Sequence, residues 1–468
     1  MNDLSQDILV NALFDDIQVG QTRSMSRTLL REDIEAYAAV TGDSNPSHLD
    51  AEFASHTALQ EVVGHGMWVG GVISTLLGTR FPGPGTVYLG QSLKFLRPVY
   101  VNSTITVTVK VLAKIDSNKS VVLECKVVNQ KGELVCVGEA TVLAPQTKIR
   151  KPLASVPRVQ LFDPQARMRD LLDLGAHLAP IVCGVVHPCD EGSLQGTIDA
   201  AQAGLIIPIL IGPESKIRQV AEQVGVDLTG YTIVAAKHSH EAVVIAASMV
   251  AERKLEGLMK GSLHTDELMR EVVSNRALRT GRRISHVFRF DVPLYSKPIL
   301  ITDAALNIRP TLMEKRDIVQ NAIDLSWILG CENPKVAILS AIETVNPEIV
   351  STLDASALCK MADRGQISGA LLDGPLAFDN AVSPEAVRIK HINSPVAGDS
   401  DILVVPDLES GNMLSKQLEY LAGASGSGVV LGASIPIALT SRADGPAARM
   451  ASALLVKLIA HDLRGKRD

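Results

Sequence analysis

Residues 103–115 read STITVTVKVLAKI, and their regular alternation of polar and apolar side chains decides the fold of the first part of the chain. Apolar residues occupy every odd position from Ile105 to Val111, which is the period of a β-strand with one buried face. Two further strand-like segments follow a polar turn each, SVVLECKVVN (120–129) and ELVCVGEATVLA (133–144). Together these segments predict an antiparallel meander.

One long apolar segment precedes the strands, HGMWVGGVISTLLGTRF (65–81), and its length is typical of a helix. A helix followed by antiparallel strands predicts an α+β domain in which the sheet wraps around one central helix. The stretch APQTKIRKPLASVPRVQ (144–160) contains three prolines and has no sustained periodicity. We therefore assign residues 1–145 to a first domain and residues 146–160 to a linker.

Beyond the linker the pattern changes to short continuous apolar runs separated by helical segments. Examples of these runs are IPILIGP (207–213), KVAILSA (335–341) and DILVVPD (401–407). Such runs are typical of strands buried on both faces, which belong to parallel sheets covered by helices. Residues 161–468 are therefore predicted to form an α/β domain, large enough for two lobes with a cleft between them.

Composition limits the partners of the protein. A net charge of −6 and an aromatic content of 3% provide neither a basic stripe nor a set of stacking rings, which argues against nucleic acid. All apolar runs are shorter than the roughly 20 residues of a membrane span, so no membrane is expected. The six cysteines lie mostly in apolar segments, and the N-terminal residues lack a signal-peptide pattern. We expect a cytoplasmic protein.

The stretch TGDSNPSHLD (41–50) places an acid, Asp43, and an imidazole, His48, on either side of Asn45-Pro46. Asn-Pro favours a turn, so the two side chains can converge on one small volume and share a water molecule. A purely structural interpretation is also open, in which Asp43 and Asn45 form local turn hydrogen bonds and His48 caps the following helix. The pair by itself does not decide between these interpretations.

Three segments occur in a fixed order around this pair: YAAVTGDSNPSHLD (37–50), GHGM (64–67) and VYLGQSLKFLRPV (87–99). Together they resemble the MaoC-type (R)-specific enoyl-CoA hydratases, which have a hot-dog fold. The resemblance covers nearly the whole first domain. It implies hydration of a trans-2-enoyl-CoA to the (R)-3-hydroxyacyl-CoA.

The same resemblance assigns roles to individual residues. It places the catalytic acid and histidine of the family on Asp43 and His48, the backbone donor to the thioester oxyanion on Gly66, and a supporting hydroxyl on Ser74. We count Asn45 among the substrate-binding residues. The chemistry is consistent with these roles, since hydration needs a base for the attacking water and a donor for the developing oxyanion. For the neighbouring His65, a role in catalysis and a plain position before the helix both stay open.

Nucleotide and metal motifs are missing from the second part of the sequence. It contains no G-x(4)-G-K-[ST], and GASGSG (423–428) has its glycines in the reverse order of a dinucleotide fingerprint. Cys183, His187 and Cys189 have no second pair of ligands nearby, so we predict no metal there. We expect no cofactor other than the coenzyme A of the substrate.

Polar clusters follow the apolar runs, at the positions where α/β sheets place their sites. In this order they resemble the phosphate acetyltransferase and phosphate butyryltransferase family, which implies reversible acyl transfer between CoA and phosphate without a metal or a nucleotide. The resemblance covers essentially all of residues 160–465. The clusters are KGSLHTDELMR (260–270), RISHVF (283–288), ITDAALNIRP (301–310), LDGPLAFDNAVS (372–383), PDLESGNMLSK (406–416) and LTSRADG (439–445).

The resemblance places Ser441 near the reacting carbonyl and Arg442 on the phosphate, with a second family arginine at Arg270. Members that use an aspartate as base carry it seven residues after the serine, where this chain has Ala448. Asp444 is the nearest candidate for that base, and a solvated loop acid is an equally simple interpretation of it. Four further residues are expected to line the cleft or to fix loops: Asp303, Asn307, Asp373 and Asn380.

Both resemblances imply acyl-CoA, so a bifunctional enzyme acting on acyl-CoA and inorganic phosphate or acyl phosphate is our leading hypothesis. One alternative is that the second domain only senses acyl-CoA and drives oligomerisation. Another is that the first domain is a hot-dog thioesterase or a CoA-binding module. We also expect a homo-oligomer, a dimer or a larger closed assembly such as a hexamer, because each domain offers its own interface.

Overall fold

A computed structural model describes residues 8–153, 162–440 and 444–466, without the side chains of residues 164 and 165. The chain divides into two compact units, Met1–Leu161 and Phe162–Asp468. In the part of the chain that is described, no helix is both long and apolar enough to cross a membrane.

The N-terminal unit has the predicted hot-dog fold. Its five main strands form an antiparallel sheet in the order β2-β4-β5-β6-β3. The helices are α1 (Arg31–Thr41), α2 (Pro46–Leu49), α3 (Ala51–Ser55) and α4 (Gly66–Thr79). The strands are β1 (Ile8–Val10), β2 (Thr22–Thr28), β3 (Val87–Phe95), β4 (Thr104–Ile115), β5 (Ser120–Asn129), β6 (Leu134–Leu143) and β7 (Arg150–Pro152).

The alternation in the sequence explains why the sheet wraps around α4. The odd positions of β4 from Ile105 to Val111 are completely buried, while the even positions between them face away from the core. Helix α4 carries its buried residues at helical spacing, from Trp68 to Leu77, and they share one core with β4 and β5. This packing fixes the position of the N-terminal end of α4, where the predicted oxyanion donor lies.

Part of the stretch predicted as a linker forms regular secondary structure. Arg150–Pro152 form β7 and pair antiparallel with Ile8–Val10. The lysine before this strand also donates to the N-terminal segment, from Lys148 Nζ to the Asn11 carbonyl at 2.6 Å. These pairings cannot be recognised from periodicity because both strands have only three residues. Residues 154–161 lie outside the described part of the chain.

Gly138 on β6 allows β3 to approach closely, which leads to a stability prediction. A Cβ at this position would lie 1.9 Å from the Ser92 carbonyl oxygen, an atom that the sheet holds in place. We expect Gly138→Ala to lower the free energy of unfolding of the N-terminal unit by about 2 to 3 kcal/mol. Urea unfolding followed by circular dichroism measures this, and Gly90→Ala on β3 is the matched control, since its Cβ would have no neighbour within 4 Å. Equal effects of the two substitutions would contradict the prediction.

The C-terminal unit is an α/β structure built on one sheet of 11 strands. Its helices are α5 (Pro164–Gly175), α6 (Glu191–Gln202), α7 (Glu214–Val224), α8 (Ser239–Ala251), α9 (Thr265–Ser274), α10 (Leu312–Ile328), α11 (Val350–Asp363), α12 (Phe378–Val382), α13 (Pro384–Lys390), α14 (Leu408–Leu421) and α15 (Pro446–Gly465). Its strands are β8 (Ile181–Val186), β9 (Ile206–Gly212), β10 (Thr232–Ala235), β11 (Gly257–Lys260), β12 (Ser285–Asp291), β13 (Ile299–Thr302), β14 (Lys335–Leu339), β15 (Leu371–Leu376), β16 (Ile402–Val404), β17 (Ser425–Leu431) and β18 (Ile437–Ala438).

This sheet is mostly parallel, as expected, but it contains two parallel blocks of opposite direction. The strand order is β10-β9-β8-β11-β18-β17-β12-β13-β16-β14-β15. The block from β10 to β18 and the block from β13 to β15 are each parallel. The three contacts from β18 to β13 are antiparallel. Because of these three reversals, the carboxyl ends of the two blocks lie at opposite ends of the sheet.

Candidate active sites

The acid and the histidine of the N-terminal site lie on either side of a tight turn. Helix α1 ends at Thr41 and is capped by Gly42, whose φ of 75° reverses the chain. Asp43 Oδ1 then accepts from the Asn45 N–H at 3.3 Å, and Asn45 Oδ1 accepts from the Ser47 N–H at 3.0 Å, capping α2. Asn45 thus has the capping role of the structural interpretation. Its exposed side chain is free to have a substrate role as well.

His48 is held by a main-chain hydrogen bond. Its Nδ1 lies 2.7 Å from the Val63 carbonyl oxygen, which can only accept, so Nδ1 carries a proton. In the neutral imidazole the other nitrogen, Nε2, is then unprotonated and can accept a proton. The guanidinium of Arg31 supports the same turn by donating to the Leu49 carbonyl at 2.6 Å. The turn therefore presents an oriented histidine.

His65 joins this pair, and it is the residue whose role the sequence left open. Its side chain is 2% exposed, and its ring centroid lies 3.9 Å from that of His48. Its Nε2 donates to the Asp43 main-chain oxygen at 3.2 Å and lies 3.9 Å from the Asp43 carboxylate. Its Nδ1 is buried and has no hydrogen-bond partner. His65 thus packs against the His48 ring and contacts Asp43, the two predicted catalytic residues.

Metal-ligand atoms of Asp43, His48 and His65 lie within 4.8 Å of one another. Within the described ranges this is the one group of three such residues. Two of the histidine nitrogens, His48 Nδ1 and His65 Nε2, are engaged with main-chain oxygens. These hydrogen bonds orient the two imidazole rings.

Gly66 is the first residue of α4, so its N–H belongs to a helix turn without intrahelical partners. It lines an open cavity of about 370 Å³ together with His65, Phe95 and Pro98. A Cβ at Gly66 would meet the Phe95 ring at 3.3 Å. His65 is the residue that both lines this cavity and contacts Asp43 and His48, so it connects the oxyanion position to the acid-histidine pair.

Ser74 lies apart from these residues. It is exposed on α4, eight residues after Gly66, which corresponds to about 12 Å along the helix axis. Within one chain the structure does not bring its hydroxyl to Asp43 and His48.

The predicted centre of the C-terminal unit, Ser441 and Arg442, lies outside the described residues. The residues on both sides of it are held by one buried arginine on α15. Arg449 donates from Nη1 to Thr440 Oγ1 at 3.1 Å and from Nε to the Asp444 main-chain oxygen at 3.2 Å. It therefore connects the strand end before this segment to the first described residue after it.

Two glycines of α6 make room for Arg449. A Cβ at Gly196 would lie 2.7 Å from Arg449 Cδ, and a Cβ at Gly192 would lie 3.3 Å from Nη2. Arg449 itself is 6% exposed. A guanidinium this deeply buried needs hydrogen-bond partners in fixed positions, and so it holds both flanking residues in place.

Asp444 lines a cavity of about 550 Å³ at the N-terminal end of α15. Ala448, seven residues after Ser441, lines the same cavity. Residues of α5, β12 and β17 complete the wall, among them the buried ion pair Arg289–Asp291. The N-terminal end of a helix has a positive potential, which suits a developing oxyanion. Asp444 is therefore in a position to act on a ligand in this cavity.

Asp303 and Asn307 form a separate network after β13. Asp303 Oδ1 accepts from the Ala305 and Leu306 N–H groups at 2.9 and 3.0 Å. Asn307 Nδ2 donates to Asp303 Oδ2 at 2.5 Å and to the Ile284 carbonyl at 2.9 Å. These buried bonds fix the loop. Since β13 and β18 run in opposite directions, this network lies at the other end of the sheet from Thr440 and Asp444.

The other three residues predicted to bind substrate or phosphate in this unit, Asp373, Asn380 and Arg270, lie on three different elements. Asp373 lies on β15, and its Oδ1 accepts from the Gly374 N–H at 2.8 Å. Asn380 on α12 is completely buried and donates to Glu343 Oε2 at 3.1 Å. Arg270 is exposed on α9, which follows β11. The two residues of the β13–β15 block thus take part in local contacts, whereas Arg270 follows a strand of the block that ends near Thr440.

Family models match both units. Residues 235–456 match the Phosphate acetyl/butaryl transferase model, and residues 16–132 match the MaoC like domain model. Over 283 residues the chain is 59% identical to a phosphate acetyltransferase of Rhizobium meliloti, and the alignment covers 60% of this chain and 90% of that protein. The chain belongs to the phosphate acetyl/butyryltransferase family.

Solved structures are similar to parts of the chain. A branched-chain phosphotransacylase of Enterococcus faecalis is 29% identical, with a TM-score of 0.54, and the match covers 60% of this chain and 99% of that one. The R-hydratase PhaJ1 of Pseudomonas aeruginosa is 38% identical, with a TM-score of 0.33, and the match covers 33% of this chain and 100% of that one. By the family models and the curated relative, the protein combines a MaoC-like domain with a phosphate acetyl/butyryltransferase domain, and it is a two-domain acyl-CoA enzyme.

Sequence reasoning left the role of His65 open and did not identify Arg449. A signal for His65 was available, because it directly precedes the predicted oxyanion donor within GHGM, but its burial beside His48 depends on the fold. Arg449 of the transferase domain carries no local signal, since arginines on helices are usually exposed. The small residues Gly192 and Gly196, four apart on one helix, were the available indication that a large side chain packs against α6.

The transferase domain contains a buried histidine that predicts a dependence of stability on pH. Complete burial lowers the pKa of His286 to about 4, against the smaller opposing effect of the Asp303 charge. Below pH 6.5 the unfolded state binds this proton more readily than the folded state does, so stability falls as the pH decreases from 6.5 towards 4. We expect a loss of about 3 kcal/mol from this group. Urea unfolding of the parent between pH 7 and pH 4 should show a steeper decline than His286→Gln, and equal slopes would contradict the assignment.

Proposed function

We propose that the MaoC-like domain hydrates trans-2-enoyl-CoA to (R)-3-hydroxyacyl-CoA and that the transferase domain transfers acyl groups reversibly between CoA and phosphate. The observation that carries the first half is the convergence of Asp43 and His48 beside a helix N-terminus. The second half is supported by family membership and by the cavity at the start of α15. Neither reaction requires a metal or a nucleotide.

For hydration, Asp43 acts as general base on the water that attacks Cβ of the enoyl thioester. His48 has its Nδ1 proton committed to Val63, so its Nε2 positions the water and shares in proton transfer to Cα. The Gly66 N–H meets the thioester oxygen as negative charge develops there. Such a donor is worth about 3 kcal/mol of activation free energy.

For acyl transfer, a phosphate oxygen attacks the thioester carbonyl, and the carbon–sulfur bond breaks as the carbon–oxygen bond forms. Arg442 binds the phosphate and Ser441 supports the carbonyl, which are the roles that the family resemblance implies. The thiolate of CoA takes up the proton released from hydrogen phosphate, and Asp444 is the proposed carrier of that proton. Ala448 cannot carry a proton, which is the one observation in favour of a non-catalytic acyl-CoA-sensing domain.

Two assays of the purified full-length protein test this proposal. Loss of enoyl-thioester absorbance from crotonyl-CoA reports hydration, and phosphate-dependent release of free CoA from butyryl-CoA reports transfer. We expect both activities. Release of CoA without phosphate would instead indicate a thioesterase, and binding of butyryl-CoA without any release would indicate a sensing module.

We further propose that the protein is a homo-oligomer. Strand β3 is an edge of the hot-dog sheet, and it exposes several apolar side chains, including Val87, Leu89 and Phe95. An exposed apolar edge strand favours pairing with another chain. Light scattering after size exclusion tests this, and a monomeric mass would overturn it.

A further inference from the structure

The cavity at the start of α15 has polar side chains from the sheet on one side and many apolar side chains around them. Arg289 on β12 pairs in register with Ser427 on β17, so their side chains lie on the same face of the sheet, and Asp291 lies on that face two residues further. The walls come from α5 and α15, and their apolar lining residues are Met168, Leu171, Ala447, Ala448 and Ala451. With a volume of about 550 Å³ the cavity is in the usual size range of small-molecule sites.

Ser427 is a polar group that lacks a partner. It is 4% exposed, and its hydroxyl makes no hydrogen bond. An unsatisfied buried hydroxyl costs about 1 to 3 kcal/mol. A ligand hydroxyl in the cavity would provide the missing partner and recover part of this free energy.

Beside it, Arg289 and Asp291 form a buried pair in which Nη2 and Oδ1 lie 3.1 Å apart, with a second, shorter contact between Nη1 and Oδ2. Each carboxylate oxygen of Asp291 has two lone pairs, so it can accept a further hydrogen bond. Ser427 and Asp291 both line the cavity, so they can offer a ligand hydroxyl a donor and an acceptor, respectively.

The charges of the cavity favour a neutral ligand. Of the residues that the structure describes, its charged lining residues are two cations and three anions, Arg169, Arg289, Asp291, Glu419 and Asp444. Arg289 is neutralised by Asp291, so it provides no free positive charge for a phosphate dianion. A wall that is largely apolar and a polar floor whose cation is paired together fit an uncharged acyl chain that carries one hydroxyl group.

We propose that this cavity is the acyl-binding site of the transferase domain and that it selects 3-hydroxyacyl groups, the product class of the MaoC-like domain. This inference rests on the proposed function of both domains. It places the two reactions in sequence: hydration supplies (R)-3-hydroxyacyl-CoA, and the transferase domain consumes it. The products are a 3-hydroxyacyl phosphate and free CoA, with the proton of hydrogen phosphate transferred to the thiolate.

The test compares (R)-3-hydroxybutyryl-CoA with butyryl-CoA in phosphate-dependent CoA release by the full-length protein. We expect the parent to have the higher kcat/KM for the hydroxylated substrate. Ser427→Ala should reduce that preference about tenfold, because it removes one hydrogen bond that only the hydroxylated substrate makes. Its activity on butyryl-CoA is measured in parallel as the reference for that preference.

Ser415→Ala is the matched control, since Ser415 on α14 is also a buried serine whose hydroxyl has no partner. It should leave the preference unchanged. Both substitutions remove an unsatisfied hydroxyl, so neither is expected to prevent folding. If butyryl-CoA reacts as well as the hydroxylated substrate, or if Ser427→Ala affects both equally, the inference is overturned and the transferase function stands. If neither substrate reacts, the transferase function itself is wrong.

Discussion

Asp43→Ala and His48→Ala are each expected to lower the rate of crotonyl-CoA hydration by about a thousandfold. The first substitution removes the general base, and the second removes the oriented imidazole that is fixed by the Val63 carbonyl. Phosphate-dependent CoA release from butyryl-CoA should be unchanged in both variants, because the transferase domain is a separate compact unit. The two activities of each variant are measured on the same preparation, so loss of one alone separates catalysis from misfolding.

Asp116→Asn provides the control for removal of a carboxylate from the MaoC-like domain. Asp116 lies in the turn after β4, and its side chain is 86% exposed. Hydration should be unaffected by this change. If Asp43→Ala retained more than about a tenth of the parent rate, a general base at this position would be excluded.

The second large effect is expected in the transferase domain. Arg449→Lys should lower phosphate-dependent CoA release by about a hundredfold, while hydration stays unchanged. A lysine keeps the charge, but it cannot reach both the Thr440 hydroxyl and the Asp444 carbonyl with one planar group. The residues before and after Ser441 and Arg442 would then no longer be held in fixed positions.

Arg464→Lys on the same helix is the matched control. Arg464 forms an ion pair with Glu256 near the other end of α15, and its side chain is 40% exposed. An exposed ion pair contributes little, so this variant should behave like the parent. If the two lysine variants have the same transferase activity, Arg449 does not position the residues on either side of Ser441 and Arg442.

Much of the N-terminal site could be predicted from the sequence because its signals are local. The Asn45-Pro46 turn and the start of α4 at Gly66 are each specified by residues only a few positions apart. The proximity of His65 to His48 could not be predicted, since it depends on how α4 packs against the sheet. The same packing leaves Ser74 exposed, although its sequence position is compatible with a site residue.

In the transferase domain the sequence alone determined the class of the fold and the family. Each buried strand and each family motif is a short continuous stretch of residues, so it can be recognised locally. Only the tertiary structure decided which of the polar strand ends meet. The reversals between β18 and β13 separate Asp303 and Asn307 from Thr440 and Asp444, and the register of β12 with β17 brings Ser427 beside Arg289. Strand direction and register depend on contacts between residues far apart in the chain, which no local pattern of polar and apolar residues specifies.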